Sequence, residues 1–451
     1  MKRRSPLSLF IRPFSKLRRS NPVRVLLWGY GSYVLAAWVL LCLPICWESD
    51  RISLLDNLFI ATSAVSTTGL ITVNTPEAYN FLGELIVMLA FQVGGLGYMT
   101  LGSFVLLASQ DSLPRFRQQV GSTVFALPEG FNLKLLIRHT VIFTFIAESI
   151  GAILLTLLFV AEGVSNPIWK AIFHSVSAFC TAGFSVFPNS LEDFRGDLWI
   201  NVVVSILSLL GSIGFLVVTD IWQGVVGRRR RIALTTRIIL YFTAWAIAIS
   251  SLLLFFFDES IIVLPLGERI LGAWFQAMTA LTTVGFNTHP ISSLGAFGVL
   301  LTIVLMILGA SPSGTGGGLK STTIAAALGG VWGQLRGQYR PAYLGRRIPE
   351  ERLLTAFAAI VFYLLVFLVG SALLLLVQGQ AFEDVLFEAA SALGTVGLSR
   401  GITGDLTMLG KWIVIALMFM GRIGALAFGI ALFYQKSQAS VVQEPVEDLA
   451  I

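Results

Sequence analysis

The residues of this chain best suited to chemistry are four triplets: Thr67-Thr68-Gly69, Thr181-Ala182-Gly183, Thr283-Val284-Gly285 and Thr395-Val396-Gly397. Their glycines stand 114, 102 and 112 residues apart. Each triplet sits in the same frame, with Phe ten residues before the glycine (Phe59, Phe173, Phe275, Phe387). Ser or Thr stands six before (Ser63, Ser177, Thr279, Ser391) and Ala five before (Ala64, Ala178, Ala280, Ala392). Thr100-Leu101-Gly102 and Thr315-Gly316-Gly317 lack that Phe and Ala, so the phased frame is the signal and chance supplies the other two. The chemistry open to such triplets is coordination by backbone oxygen. Glycine allows backbone angles that turn successive carbonyls to one side, and rings of carbonyls replace the hydration shell of a cation in a selectivity filter. The threonines add hydroxyl and carbonyl oxygens at the inner rim. The middle positions and those just after the glycine (Leu70, Phe184, Phe286, Leu398) vary, as expected where only backbone faces an ion.

The elements that position these triplets are membrane helices. A mean hydropathy of +0.81, 55 % hydrophobic and 12 % charged residues set the chain apart from soluble domains, which carry about 25 % charged residues. Apolar runs long enough to cross a hydrocarbon core, about 20 residues each, begin near Val25, Val141, Ile238 and Leu353. Four more follow the triplets, near Leu85, Trp199, Leu294 and Trp412. Each phased frame is too short to cross and must enter and turn back. Non-helical backbone at membrane depth is tolerated only where protein buries it or where it lines an aqueous cavity, and four such segments around one axis meet that condition together. The expectation is an all-α integral membrane protein. It has four tandem helix, re-entrant pore loop, helix repeats, eight spans in all, around a pseudo-fourfold pore. The division is 1–24 as a cytoplasmic basic leader, 25–110, 138–227, 237–335 and 352–435 as repeats, and 436–451 as a cytoplasmic tail. The first apolar run, Val25 to Trp47, is too long for a signal peptide and is expected to remain as a span.

Lys and Arg mark the cytoplasmic side. The leader, then Arg115, Arg117, Lys134 and Arg138, then Arg228 to Arg231, then Arg336, Arg340, Arg346 and Arg347 fall on one face. Acids gather on the other: Glu48, Asp50 and Asp56; Glu192, Asp193 and Asp197; Asp258 and Glu259; Glu383, Asp384 and Glu388. Both termini are therefore expected in the cytoplasm. The net charge of +6 is a topology signal, and nucleic acid is not an expected partner. The consecutive arginines 228 to 231 lack the three-residue period of a voltage sensor. Cys42, Cys46 and Cys180 read as small apolar residues. His139, His174 and His289 are scattered, and no constellation for enzyme catalysis or a resident metal stands out.

Two features depart from fourfold repetition. After Leu308 comes Gly309-Ala310-Ser311-Pro312-Ser313-Gly314-Thr315-Gly316-Gly317-Gly318, a stretch that breaks the second span of the third repeat. It is expected to line the cavity beneath the filter. Leu319 before Lys320-Ser321 does not fit a phosphate loop, which needs Gly there. Arg422 lies in the last span, where a charge is costly and marks function by default; Glu148 is a candidate partner for it, and Lys320 a weaker candidate for a role in the pore. Elsewhere Gly94, Gly95 and Gly97, Gly211 and Gly214, and Gly421 and Gly424 read as helix-packing glycines.

On the four phased frames the chain resembles the superfamily of Trk, Ktr and HKT potassium transporters, over residues 25 to 434. It is most like the Ktr membrane (KtrB-type) subunit, because no extra pair of spans precedes the first repeat. The resemblance implies potassium uptake through a selective, gated, channel-like pore in a bacterial plasma (inner) membrane. Potassium would be held by Thr67, Gly69, Thr181, Gly183, Thr283, Gly285, Thr395 and Gly397 of a filter that also includes Thr68, Ala182, Val284 and Val396. Plant HKT proteins with Ser at the first glycine favour sodium, so four glycines imply potassium. The gate would be Gly309, Ser311, Ser313, Gly314, Thr315, Gly316, Gly317 and Gly318 with Arg422. The resemblance further implies a homodimer, a cytoplasmic nucleotide-binding (KtrA-like) regulatory ring and sodium as a candidate activator, with no covalent cofactor. A sodium- or proton-coupled potassium symporter is the alternative left open.

Overall fold

A computed structural model describes residues 22–48, 51–110, 133–225, 232–312, 314–337, 342–343 and 346–433. The leader up to residue 21, Asp50, Arg115, Arg117, Arg228 to Arg231, Ser313, Arg340 and the tail lie outside the described residues. Nearly every described element is helical; a two-residue pairing of Ala342–Tyr343 with Arg346–Arg347 is the exception.

The helices fall into four similar units. The first has Pro22–Leu41, a short helix Leu54–Val65 and Phe81–Gln110. The second has Leu133–Ala161, short helix Pro167–Phe179, then Leu198–Ile213 and Phe215–Val225. The third has Leu234–Phe257, short helix Leu266–Thr282, then Ala296–Leu308 and Ser321–Leu335. The fourth has Glu350–Val377, short helix Phe382–Gly394, then Met408–Ile423 and Ala425–Phe433. Local sequence starts these elements where it should. Ser53, Asp197 and Thr407 cap their helices by accepting from the backbone N–H of Asp56, Ile200 and Gly410, and Pro167 opens the second short helix. The short helices hold 12, 13, 17 and 13 residues, and at 1.5 Å per residue helices of roughly this length cannot cross a core about 30 Å thick.

Not every expected crossing is a single unbroken helix among the described residues. Among the described residues three helices are long and apolar enough, or five if each bent pair is one span. The second spans of the second, third and fourth units are interrupted, more widely than expected, whereas Pro22–Leu41 and Phe81–Gln110 of the first unit are continuous helices. The third breaks at Gly309, as its glycines foretell. The second bends by 92° between Ile213 and Phe215, and the fourth by 96° between Ile423 and Ala425. Gly214 (φ +80°) and Gly424 (φ +91°) sit at those bends, so their assignment as packing glycines is corrected: they are the hinges of broken helices. Gly94, Gly211 and Gly421 do pack, each with its α-carbon against the carbonyl of the short helix of its own unit, at Val65, Phe179 and Leu393.

The constant residues of the frame are the heart of the packing. All four Phe and all four Ala are fully buried. Polar ties join neighbouring units: Trp169 Nε1 to Glu84 (2.6 Å), Arg195 to Glu268 (2.8 Å), Arg400 to the Leu294 carbonyl (3.3 Å) and Lys411 to Asp56 (2.6 Å).

Candidate functional site: a ring of four turns and the loop beneath it

Each short helix ends in the same way. The residue between Thr and Gly turns its N–H back to the carbonyl of the Ser or Thr six before the glycine: Thr68 to Ser63 (2.8 Å), Ala182 to Ser177 (2.8 Å), Val284 to Thr279 (3.1 Å) and Val396 to Ser391 (2.9 Å). To make that turn the triplet threonine takes a left-handed conformation, φ +52°, +50°, +57° and +49° at Thr67, Thr181, Thr283 and Thr395. Such angles are outliers for a β-branched residue and cost about 1–3 kcal/mol each. Four equal outliers at four equivalent places are a built feature. The glycines follow at φ +95°, +68°, +83° and +97°, so the backbone turns out of the helix within three residues through angles that favour glycine.

The four turns meet as a closed ring in chain order. A methyl group added to Gly69 would lie 2.5 Å from the Ala182 carbonyl oxygen, and one on Gly183 2.5 Å from that of Val284. At Gly285 it would meet the Val396 carbonyl and at Gly397 that of Thr68. Every triplet thus abuts the middle carbonyl of the next, and the fourth abuts the first. Only glycine lets backbones approach so closely. At the inner rim the buried hydroxyls of Thr67 and Thr395 accept and donate no hydrogen bond within the described protein, whereas Thr181 Oγ1 meets Thr315 Oγ1 at 3.0 Å and Thr283 Oγ1 accepts from the Gly317 N–H at 2.9 Å.

Those last contacts place the broken stretch of the third unit directly under the ring. Its base is pinched by Ala310 N–H to the Gly317 carbonyl (3.1 Å) and Leu319 N–H to the Ile307 carbonyl (2.9 Å). Its tip docks on the end of helix Leu198–Ile213. There the carbonyls freed by the bend at Gly214 accept from Thr315 N–H (Gly211, 3.0 Å), Ser311 N–H (Ser212, 3.2 Å) and Ser311 Oγ (Ile213, 2.5 Å). Orphan carbonyls at a helix end need partners, and the loop supplies them. Thr315 Oγ1 also reaches the Phe179 carbonyl (3.2 Å).

Two cations hold this loop by its carbonyls. Arg422, buried and in the last turn before the Gly424 bend, donates to the carbonyls of Thr315 and, at 2.9 Å, Gly94. Lys320 donates to Gly316 at 2.7 Å. Glu148 bonds Gln92 (3.0 Å) and faces the Cys180 thiol. Of the residues singled out in the sequence, the structure brings together all twelve triplet residues, the loop from Gly309 to Gly318 other than Ser313, and Arg422. It adds the docking of the loop on Gly211 to Ile213, for which the sequence carried one signal, the glycine at 214.

Residues 34–443 match the family model TrkH, described as cation transport protein. The chain belongs to the TrkH family. It is 32 % identical to the Ktr system potassium uptake protein B of Vibrio alginolyticus over 94 % of this chain and 93 % of that one. It is likewise 32 % identical to the Bacillus subtilis protein of the same name, over 95 % and 96 %. Identity is 31 % with the potassium/sodium uptake protein NtpJ of Enterococcus hirae, over 94 % and 95 %. The crystal structure of the potassium transporter TrkH from Vibrio parahaemolyticus shares the fold, with a TM-score of 0.67 at 21 % identity over 90 % of this chain and 84 % of that one. Membership in the TrkH family agrees with a membrane transporter and with the Ktr-like character expected from the four frames.

Proposed function

We propose that this TrkH-family chain carries potassium into the cell down its electrochemical gradient, through one pore at the centre of its four repeats, spanning 25–110, 138–227, 237–335 and 352–435. The observation that carries this reading is the closed ring of glycines 69, 183, 285 and 397, each against the next triplet's middle carbonyl. Backbone oxygens gathered on one axis are the means by which a filter replaces a hydration shell. In this reading Thr67, Thr68, Gly69, Thr181, Ala182, Gly183, Thr283, Val284, Gly285, Thr395, Val396 and Gly397 form the filter. The unpartnered hydroxyls of Thr67 and Thr395 are oxygens left for the permeating ion or its water.

The loop from Gly309 to Gly318 with Arg422 acts as the gate, and Lys320 shares its restraint. The positive charge of Arg422 at the loop, beneath the filter, opposes cation passage until the loop moves. Both termini face the cytoplasm in this arrangement. The relatives named Ktr system potassium uptake protein B support potassium as cargo, and their belonging to a system supports further components, for which a cytoplasmic nucleotide-binding ring and a homodimer are the proposed forms. Sodium as activator belongs to this same reading; a sodium- or proton-coupled potassium symporter is the second reading, and the potassium/sodium name of the Enterococcus relative favours keeping sodium in both.

The test is rubidium or potassium uptake into liposomes holding the purified protein, wild type against Gly285→Ser. Potassium-favouring uptake that the substitution abolishes or opens to sodium supports the filter; unchanged selectivity in a transporting variant removes it. A reversal potential that follows potassium alone supports a passive pore, and one that moves with both ions in fixed ratio supports the symporter.

A further inference from the structure

Behind the filter each short helix presents one side chain nine residues before the glycine: Ile60, His174, Gln276 and Glu388. All four are buried, and three are polar. In two units this side chain grips the residue two positions after the glycine. His174 Nε2 lies 2.9 Å from Ser185 Oγ, and Glu388 Oε2 lies 2.8 Å from Ser399 Oγ. The pairs are alike in detail. Ser185 Oγ accepts from the Phe187 N–H (2.9 Å) and Ser399 Oγ from the Gly401 N–H (3.1 Å), which leaves each hydroxyl its proton to donate backwards to the helix. His174 Nδ1 sits 2.7 Å from the Lys170 carbonyl; a carbonyl only accepts, so Nδ1 carries the proton and Nε2 is the acceptor. Glu388 takes a second hydroxyl, Thr403 Oγ1, on its other oxygen.

The other two units lack the grip. The first has Ile60 and Ile71 at these positions. In the third, Asn287 turns away to Glu192 of the second unit (2.6 Å), and both polar atoms of buried Gln276 have no hydrogen-bond partner within the described protein. Because the ring runs in chain order, the second and fourth units face each other across the pore.

We propose that His174–Ser185 and Glu388–Ser399 are diagonal clamps that position the filter backbone and set how strictly potassium is preferred to sodium. This rests on the filter reading above. Each clamp ties the strand leaving the triplet to the rigid short helix behind it, so that the carbonyls of the triplet keep their spacing when a smaller ion enters. A fully buried carboxyl and a fully buried imidazole are expensive in a membrane protein, and filling irregular space does not require either, as Ile60 demonstrates in the first unit. His174 and Glu388 are positioning residues: they act through Ser185 and Ser399 and are placed away from the ion.

The test uses the full chain in liposomes and reads the potassium-to-sodium permeability ratio from reversal potentials, with thermal unfolding followed alongside. Ser185→Ala combined with Ser399→Ala removes both grips with a one-atom change at each. The ratio is expected to fall about tenfold, a factor in keeping with the loss of net hydrogen bonds of this kind. Glu388→Leu removes the grip of the fourth unit alone and is expected to lower the ratio by a smaller factor, about threefold, and Glu388→Gln, which keeps an accepting oxygen for Ser399, is expected to hold the ratio within about twofold of wild type. Gly397→Ser in the same assay tests the filter by itself. A shifted ratio in Gly397→Ser with an unchanged ratio in the serine and Glu388→Leu variants overturns the clamps and leaves the filter. An unchanged ratio in Gly397→Ser overturns the filter reading and the clamps with it.

Discussion

Lys411 Nζ lies 2.6 Å from Asp56 Oδ1 across 355 residues of chain, and this pair ties the fourth unit to the first where the ring closes. Both side chains are about five-sixths buried, at 16 % and 15 % exposure. Ser53 supports the same carboxylate from the helix cap (2.6 Å). Lys411→Met is expected to lower stability by about 1–2 kcal/mol, between an exposed pair and a fully buried charged hydrogen bond. Thermal unfolding of the detergent-solubilised protein checks it, and Asp56→Asn combined with Lys411→Met should cost little more than either alone.

Glycines of identical type should respond oppositely to alanine. At Gly94 an added methyl meets the Val65 carbonyl, whereas at Gly31 it meets nothing within 4 Å. Both lie inside helices. Gly94→Ala is expected to destabilise by about 1–3 kcal/mol through overpacking. Gly31→Ala is expected to be neutral or to stabilise by up to about 1 kcal/mol, since alanine is the better helix former. Unfolding temperatures of the two variants decide the matter.

Arg422 is expected to restrain flux without touching selectivity. Its bonds to the Thr315 and Gly94 carbonyls join the loop to two other units. Arg422→Gln removes the charge and loosens that join, so initial uptake should rise about tenfold, a coupling within the usual allosteric range, with an unaltered potassium-to-sodium ratio. A variant with unchanged or reduced uptake would assign Arg422 to structure alone.

Acid should loosen the loop that follows the triplet of the third unit through His289. Burial, followed by the nearby Arg195 charge, holds its pKa below the ordinary imidazole value, with Asp258 opposing. The fold therefore favours neutral His289, while the unfolded chain takes up a proton near pH 6.5. The stabilisation is complete above that pH and is lost as pH falls below it. Nε2 of the neutral ring meets the hydroxyls of both Ser260 (2.9 Å) and Ser293 (3.0 Å). Between pH 7.5 and 5.5, as chosen test conditions around about 6.5, the unfolding temperature of wild type should fall more than that of His289→Gln.

Much of the site was legible because repetition amplifies it. One Thr-x-Gly means little, but four with Phe and Ala in phase identify backbone that serves one role four times. The broken third span was equally legible, since glycine and proline in that density exclude helix. The bends at Gly214 and Gly424 were not. In sequence they look like Gly211 and Gly421, which pack, because residue type states what backbone angle is permitted and not which is adopted. The grips of His174 and Glu388 had a signal in the constant offset from the glycine. That signal is masked because Ile60 and Gln276 occupy the same place with different chemistry.

By itself the sequence determined a membrane chain of four helix, turn, helix units, the backbone positions at each turn and the one stretch that cannot be helical. These follow from composition, period and local steric limits. The tertiary structure alone decided that each glycine abuts the carbonyl of the next unit, that the loop docks on carbonyls freed at Gly214, and that Arg422 reaches Thr315 and Gly94. Such contacts join residues about a hundred or more positions apart, and no local propensity encodes them; they arise only when four similar units pack around one axis.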